Sequence, residues 1–322
     1  MKKITRRTLI AGLGIAALPA LHAQEFPNKP IRLIVPYPPA GASDITARLI
    51  ADKLSKKYGT QVLVDNKAGA NGIIGTELIA KAAPDGYTIG LVASSHVGNP
   101  FSYKRVPFDT LNDLQPITQT ANVQLGLAVH PKLNVNNVRE LVALLKAQPG
   151  KVDFASTGAG GNPHLFADLF MQLSETRMNH VPYKGSSSAH PDLLAGEVQV
   201  MFDAVAALTP HVKSGRIKLL AVCGDKRASL WPDVPTLEEA GVKGYGMYSW
   251  GGIIAPAKLP RVLIDKLNRD ITEALRQPDL RERLTQLGAE VVAGTPEQFD
   301  ALLRSETVRY AKLIKDAGIV PE

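Results

Sequence analysis

One cysteine, Cys223, stands in 322 residues. That excludes an intramolecular disulfide, a multi-cysteine metal site and a lipid-anchoring cysteine at the end of a leader. The seven histidines (His22, His96, His130, His164, His180, His190 and His211) include no pair at zinc-helix spacing, so no metal site is expected. Signatures of nucleotide chemistry are missing too: "GAGGNPH" is not GxGxxG, and no GxxxxGK followed by Ser or Thr occurs. There is no GxSxG elbow, and the Ser, His and Asp of "SSSAHPD" are sequence neighbours, which does not make them a triad. Aromatic residues make up 6% of the chain, and no Lys/Arg cluster is interleaved with them, which removes the footing for nucleic-acid binding. Long apolar runs are absent as well. The stretch from Leu9 to Leu21 is too short to span a bilayer.

What is present begins with that stretch. Lys2, Lys3, Arg6 and Arg7 precede it and Ala23 closes it, the layout of a cleavable export signal over residues 1–23. The Arg6-Arg7 pair fits a twin-arginine signal and an ordinary Sec signal equally well. Without those four basic groups, 37 basic residues become 33 against 30 acidic, and the net charge falls from +7 to +3. About 300 residues then remain, enough for two lobes, since single cores seldom exceed about 250.

Short Val/Ile/Leu-rich runs alternate with helix-like segments, the pattern of an α/β protein with a mainly parallel sheet. Strands are expected at Ile31–Val35, Gln61–Asp65, Thr88–Ala93, Gly126–His130, Val152–Ser156, Val198–Phe202 and Ile217–Val222. Helices are expected at Ile45–Lys57, Gly75–Ala83, Val138–Ala147, Pro163–Leu173, Ala189–Leu194 and Ala204–Ser214. After Pro260 the chain reads as almost wholly helical, with Phe299, Leu302, Leu303, Tyr310, Leu313 and Ile314 near one face. Such a tail needs an apolar surface, and the first lobe supplies it if the chain crosses between lobes near Thr120–Leu125 and Gly241–Trp250.

Two segments repeat one design, strand, glycine-bearing turn, helix: "IRLIVPYPPAGASDITARL" and "KVDFASTGAGGNPHLFADLF". Ligands of open α/β sheets bind where a strand gives way to the next helix, whose unpaired N–H groups favour an anion. Pro38 and Pro39 stiffen the first turn and Ser43 or Asp44 can cap its helix; in the second, Asn162 can cap and Pro163 fits the first helical position. Neither turn contains Arg or Lys, so nothing local demands a multiply charged ligand, although Lys184 offers a second anchor for a dicarboxylate. Tyr37, Tyr183 and Trp250 can line an apolar pocket or fill cores, and Asp203 can face a ligand or cap the next helix.

The segments "PIRLIVPYPPAGASDITARLIADKL", "VLVDNKAGANGIIGTELIAKAAPDGYTIGL", "STGAGGNPHL", "VPYKG", "LLAGEVQVMFDAVAALTPHVKSGRIKLLAV" and "WPDVPTLEEAG" resemble, in order, the motifs of one family. It is the Bug-type, or tripartite tricarboxylate transporter, substrate-binding receptors, and the likeness runs through nearly the whole chain after residue 23. It implies a type II-like periplasmic binding protein with two mixed sheets flanked by helices and joined by a two-stranded hinge. Residues 24–123 with 246–322 would form lobe 1, including a helical C-terminal tail, and 124–245 lobe 2. It also implies a monomeric periplasmic receptor for a small mono-, di- or aromatic carboxylate, serving membrane transporter subunits, with no catalysis, cofactor or metal. By motif, the ligand-binding residues would be Tyr37, Pro39, Ala40, Gly41, Ala42 and Asp44; Ser94 and Ser95; Thr157, Gly158, Ala159, Gly160, Gly161 and His164; Tyr183 and Lys184; and Asp203. The family's usual double glycine after the prolines is here Ala40-Gly41, and the hydroxyl residue often found after its TGxG is here Gly161. Two rival readings are a receptor that signals to a membrane sensor and an exported hydrolase, the latter without a nucleophile, metal or cofactor signature.

Overall fold

The computed structural model describes residues 26–158, 160–316 and 318–321; the expected export signal and Ala159 lie outside them. The chain opens with β1 (Ile31–Val35), α1 (Ala42–Tyr58), β2 (Val62–Asn66), α2 (Ile73–Ala80), β3 (Thr88–Ala93), α3 (Ser95–Ser102) and β4 (Leu114–Val123). The strands of this part share one sheet with β10 (Ser249–Pro256) and β11 (Ala289–Val291), in the order β11-β4-β10-β3-β1-β2. Between β4 and β10 the chain builds a second sheet. Its elements are β5 (Leu125–Val129), α4 (Val138–Ala147), β6 (Asp153–Ser156), α5 (Asn162–Ser174), β7 (Asn179–Pro182), α6 (Ser186–Ala195), β8 (Val200–Ala204), α7 (Val205–Lys213) and β9 (Lys218–Val222). Its order is β7-β6-β8-β5-β9. The chain closes with α8 (Arg261–Arg276), α9 (Pro278–Gln286) and α10 (Pro296–Asp316).

Both sheets are mixed. β1 runs parallel to β2 and β3, while β10 runs antiparallel to β3 and β4. In the second sheet β6 is parallel to β7 and β8, and β5 antiparallel to β8 and β9. The returning strand explains the departure from a mainly parallel sheet: β10 re-enters the first sheet between β3 and β4 from the opposite direction.

The interior strand β1 is apolar on both sides because both are covered. Ile31, Leu33 and Val35 face a core shared with α1, α8 and α9, whereas Ile34 faces one shared with α10. Along α8, Ile264, Leu267, Ile271 and Leu275 recur at helical spacing and all enter the first core. Of the six residues on the expected tail face, four (Phe299, Leu303, Tyr310 and Ile314) are buried and Leu302 and Leu313 are partly so. β11 interrupts the tail that reads as helical, pairing Ala289–Val291 with β4.

A single residue, Gln124, separates β4 from β5, and the return into the first sheet begins at Ser249. Two chain segments therefore connect the sheets. Tail helix α10 also touches this region, since Arg309 Nη2 donates to the Gly246 carbonyl.

Candidate functional site

The first turn leaves β1 at Val35 and enters α1 at Ala42. Tyr37 folds back from it: its hydroxyl accepts from the Ala93 N–H at 3.0 Å and pairs with Ser95 Oγ at 3.2 Å. Burial raises the pKa of this phenol, which stays neutral. Asp44 is buried and braces the turn from inside. Its Oδ2 accepts from the Ala40 N–H and from Arg48 Nε, each at 2.9 Å, and its Oδ1 accepts from Asn66 Nδ2 at 2.9 Å. Burial alone would raise this carboxyl, but the bonds from Arg48, Ala40 and Asn66 outweigh it and hold it below its ordinary value. Ala40 needs the brace, because its φ of 65° lies in the left-handed region that disfavours a Cβ. Neither Ser43 nor Asp44 caps α1. Gly41 occupies the N-cap without a side-chain bond, and Pro39 to Ala42 are exposed, the Ala40 N–H being the one amide of the turn taken by Asp44.

The second turn is built the same way from different residues. Ser156 Oγ donates to the Gly158 carbonyl (3.0 Å), accepts from the Gly158 N–H (3.2 Å) and meets His180 Nε2 at 2.6 Å. The Gly160 N–H donates to His164 Nδ1 at 3.0 Å, and His164 stacks on His180 with ring centroids 3.8 Å apart. Burial, then the charge of His180 when protonated, pushes His164 down to about 4, so its ring is neutral. With Nδ1 accepting, the ring proton resides on Nε2, which lies 3.2 Å from Asp168 Oδ2. Burial raises the Asp168 carboxyl to about 7. The helix begins one residue earlier than expected: Gly161 is the N-cap, again without a side-chain bond, and Asn162 is the first helical residue.

The other motif residues are placed as follows. Ser94 is fully buried, its Oγ 3.1 Å from Ser249 Oγ and accepting from Asn162 Nδ2 at 2.7 Å. Tyr183 donates to Asp192 Oδ2 at 2.7 Å on α6, and burial pushes the phenol up to about 12. Its carbonyl lies beside Gly158, while Lys184 is exposed on the loop that follows. Asp203 accepts from His190 Nε2 at 2.8 Å and from the Ala204 N–H at 2.8 Å, just ahead of α7. Thr157 is half-buried at the mouth of the second turn. Among the described residues no group of three or more His, Cys, Asp or Glu side chains is placed to hold a metal ion.

Three hydrogen bonds join the two halves at this place: Asn162 reaches Ser94 and Ser249, and Tyr310 reaches Asn162. Nearby, a Cβ added to Gly160 would lie 2.9 Å from Ser102 Oγ at the end of α3. Asn66, Ser102, Ser249 and Tyr310 are absent from the sequence-derived set. Asn66 sits inside a quoted motif and Tyr310 on the predicted apolar face, so their neighbourhoods were visible although their partners were not.

The buried imidazoles make stability pH-dependent. His96 on α3 is 2% exposed and stacks over Phe108, and burial pushes it down to about 4 despite a smaller upward pull from the Thr110 backbone. The unfolded chain therefore takes up a proton here below about 6.5 that the native state refuses until about 4, and stability falls as pH drops through that window. At pH 5 the difference is about 2 kcal/mol. His164 and His180 act in the same direction. Urea unfolding of His96→Phe should show a smaller loss of stability between pH 7 and pH 5 than the parent shows. An equally steep loss in the variant would place the effect elsewhere.

Residues 46–319 match the family model described as tripartite tricarboxylate transporter family receptor. Among solved structures, Rpa4515 of R. palustris with adipate is 32% identical, covers 92% of this chain and 100% of its own, and superposes with a TM-score of 0.85. The periplasmic binding protein BugD is 33% identical over 92% of this chain and 100% of its own, with a TM-score of 0.81. MatC from Rhodopseudomonas palustris with bound malate is 27% identical over 90% of this chain and 100% of its own, with a TM-score of 0.79. With its periplasmic-binding-protein fold and its Bug-type relatives, the chain belongs to the tripartite tricarboxylate transporter receptor family, whose members are solute-binding receptors.

Proposed function

We propose that the protein is a periplasmic receptor that closes around a small dicarboxylate and hands it to a membrane transporter of the tripartite tricarboxylate type. One observation carries the ligand class. Both turns end in helices whose N-caps carry no side-chain bond, while the nearby polar side chains Asp44 and His164 are engaged in bracing the loops. The N–H groups of Ala40, Gly158, Gly160 and Gly161 are taken within the turns, so what remains to meet a ligand is the backbone N–H of the first turn of α1 and of α5, at two positive helix ends, which suits a carboxylate. The ligand's carboxylate would sit between the start of α1 and the start of α5, with Tyr37 and Ser95 as its floor. Relatives that hold adipate and malate support a ligand with two carboxylates. Residues 24–123 with 246–322, and residues 124–245, would move as two lobes about the connections at Gln124 and ahead of Ser249. A ligand favours the closed form only by binding it better than the open one.

Thermal unfolding against a panel of mono-, di- and tricarboxylates, amino acids and aromatic acids tests the reading. An acid present at 100 times its dissociation constant adds about 2.7 kcal/mol to stability. A dicarboxylate that raises the midpoint, and whose uptake is abolished in a deletion strain, is the expected outcome. If no carboxylate shifts the midpoint, the proposal fails; if uptake persists while a transcriptional response is lost, the partner is a sensor.

A further inference from the structure

The first turn of α5 is chemically part of the other half of the molecule. Asn162 leaves the second sheet through β6, yet its carboxamide is bonded only to groups of the first. Its Nδ2 donates to Ser94 Oγ at the end of β3 (2.7 Å) and to Ser249 Oγ at the start of β10 (3.0 Å). Its Oδ1 accepts from the Tyr310 hydroxyl of α10 at 3.0 Å. Ser94 and Ser249 are themselves 3.1 Å apart, so three separate elements meet on one side chain. Ser94 and Tyr310 are fully buried, and both donor hydrogens of the amide are used. Three residues on, Leu165 is buried in the cluster of Val97, Trp250, Phe299 and Tyr310, on the first-sheet side.

We propose that Asn162 is a positioning residue, the joint about which the second lobe pivots and which registers the second ligand turn against the first lobe. The inference rests on the two-lobe reading above. Its physical basis is that a polar cluster anchored on buried Ser94 and Tyr310, with both amide hydrogens paired, admits one geometry, whereas the apolar contacts around it tolerate sliding. Because Asn162 is the first residue of α5, directly after the Gly161 N-cap, whatever fixes its carboxamide also fixes the start of that helix. The joint lies beside the return connection at Ser249, where a pivot moves least.

The experiment is a distance measurement between spin labels on Lys56→Cys in α1 and Lys146→Cys in α4, both exposed sites, in the otherwise intact protein; Cys223 is buried. Removing the joint by Asn162→Ala should broaden the ligand-free distance distribution. It should also weaken, about tenfold, whichever panel dicarboxylate the parent binds, as expected for a buried cluster left unpaired. Tyr310→Phe removes one bond and keeps the ring, so it should produce the same changes in smaller measure, and it decides the matter if Asn162→Ala does not fold. A lowered unfolding midpoint with unchanged distances and unchanged affinity would reduce Asn162 to a structural residue. If the parent binds no panel acid, the receptor reading fails, but the ligand-free distances still test the joint.

Discussion

Valine at position 160 abolishes ligand binding and leaves both sheets folded. Gly160 has φ of +68°, where an L side chain costs roughly 1–2 kcal/mol, more when β-branched. Its added Cβ would lie 2.9 Å from Ser102 Oγ and 3.1 Å from Ser102 Cβ. The side chain therefore collides with the end of α3, which packs with the first sheet. Relief comes from displacing the loop, which also breaks the Gly160 N–H bond to His164 and moves the start of α5. Titration calorimetry with a panel acid that binds the parent should show affinity reduced more than about a hundredfold, since a strain and a clash together exceed about 2.7 kcal/mol. Far-UV circular dichroism should be unchanged. Gly59→Val is the control, because Gly59 has a similar φ of +64° with nothing within 4 Å of its would-be Cβ. It carries strain without collision and should bind normally. A Gly160→Val protein with parental affinity would take this loop out of the site.

That collision shows where sequence reading stops. β1, β3 and α4 are legible to the residue, because each is a clean apolar run or a helical stripe bounded by turn residues. β4 is not: "LQPITQTANV" looks polar, yet Thr118 and Thr120 are buried and Thr118 Oγ1 donates to the Gly294 carbonyl. β10 hides behind Gly251 and Gly252, which read as loop but serve packing. The two glycine-bearing turns stand out in the sequence through their glycines and prolines, whose backbone meaning is local. The directions of Asp44, His164 and Tyr183 do not, since each side chain turns toward a partner supplied by folding. Asn162 is the extreme case. Its partners lie 68, 87 and 148 residues away, beyond any local pattern.

Phe299→Ala should cost about 3–5 kcal/mol, the range for emptying a buried phenylalanine site. Phe299 is fully buried on α10, packs edge-on to Trp250 with ring centroids 5.5 Å apart, and lies directly over Gly252 of β10. A Cβ on Gly252 would fall 2.1 Å from Phe299 Cζ and 2.5 Å from Cε1. β10 is bonded to β3 on one side and β4 on the other, so the strand cannot retreat. Gly252→Ala must therefore evict the ring, and its cost should approach that of removing the ring, about 3–5 kcal/mol. The pair is then strongly non-additive. In Gly252→Ala/Phe299→Ala the methyl enters space already vacated, and the double variant should lose little more than Phe299→Ala alone, well short of the roughly 6–10 kcal/mol that independent sites would give. Urea unfolding of the four proteins measures this, and additive losses would show that ring and glycine do not meet. The same helix carries Tyr310 to Asn162, so the packing of Phe299 also sets where that hydroxyl stands. Phe299→Ala should then weaken ligand binding even at temperatures where the variant is fully folded, because a helix loosened on its sheet no longer holds the joint in register.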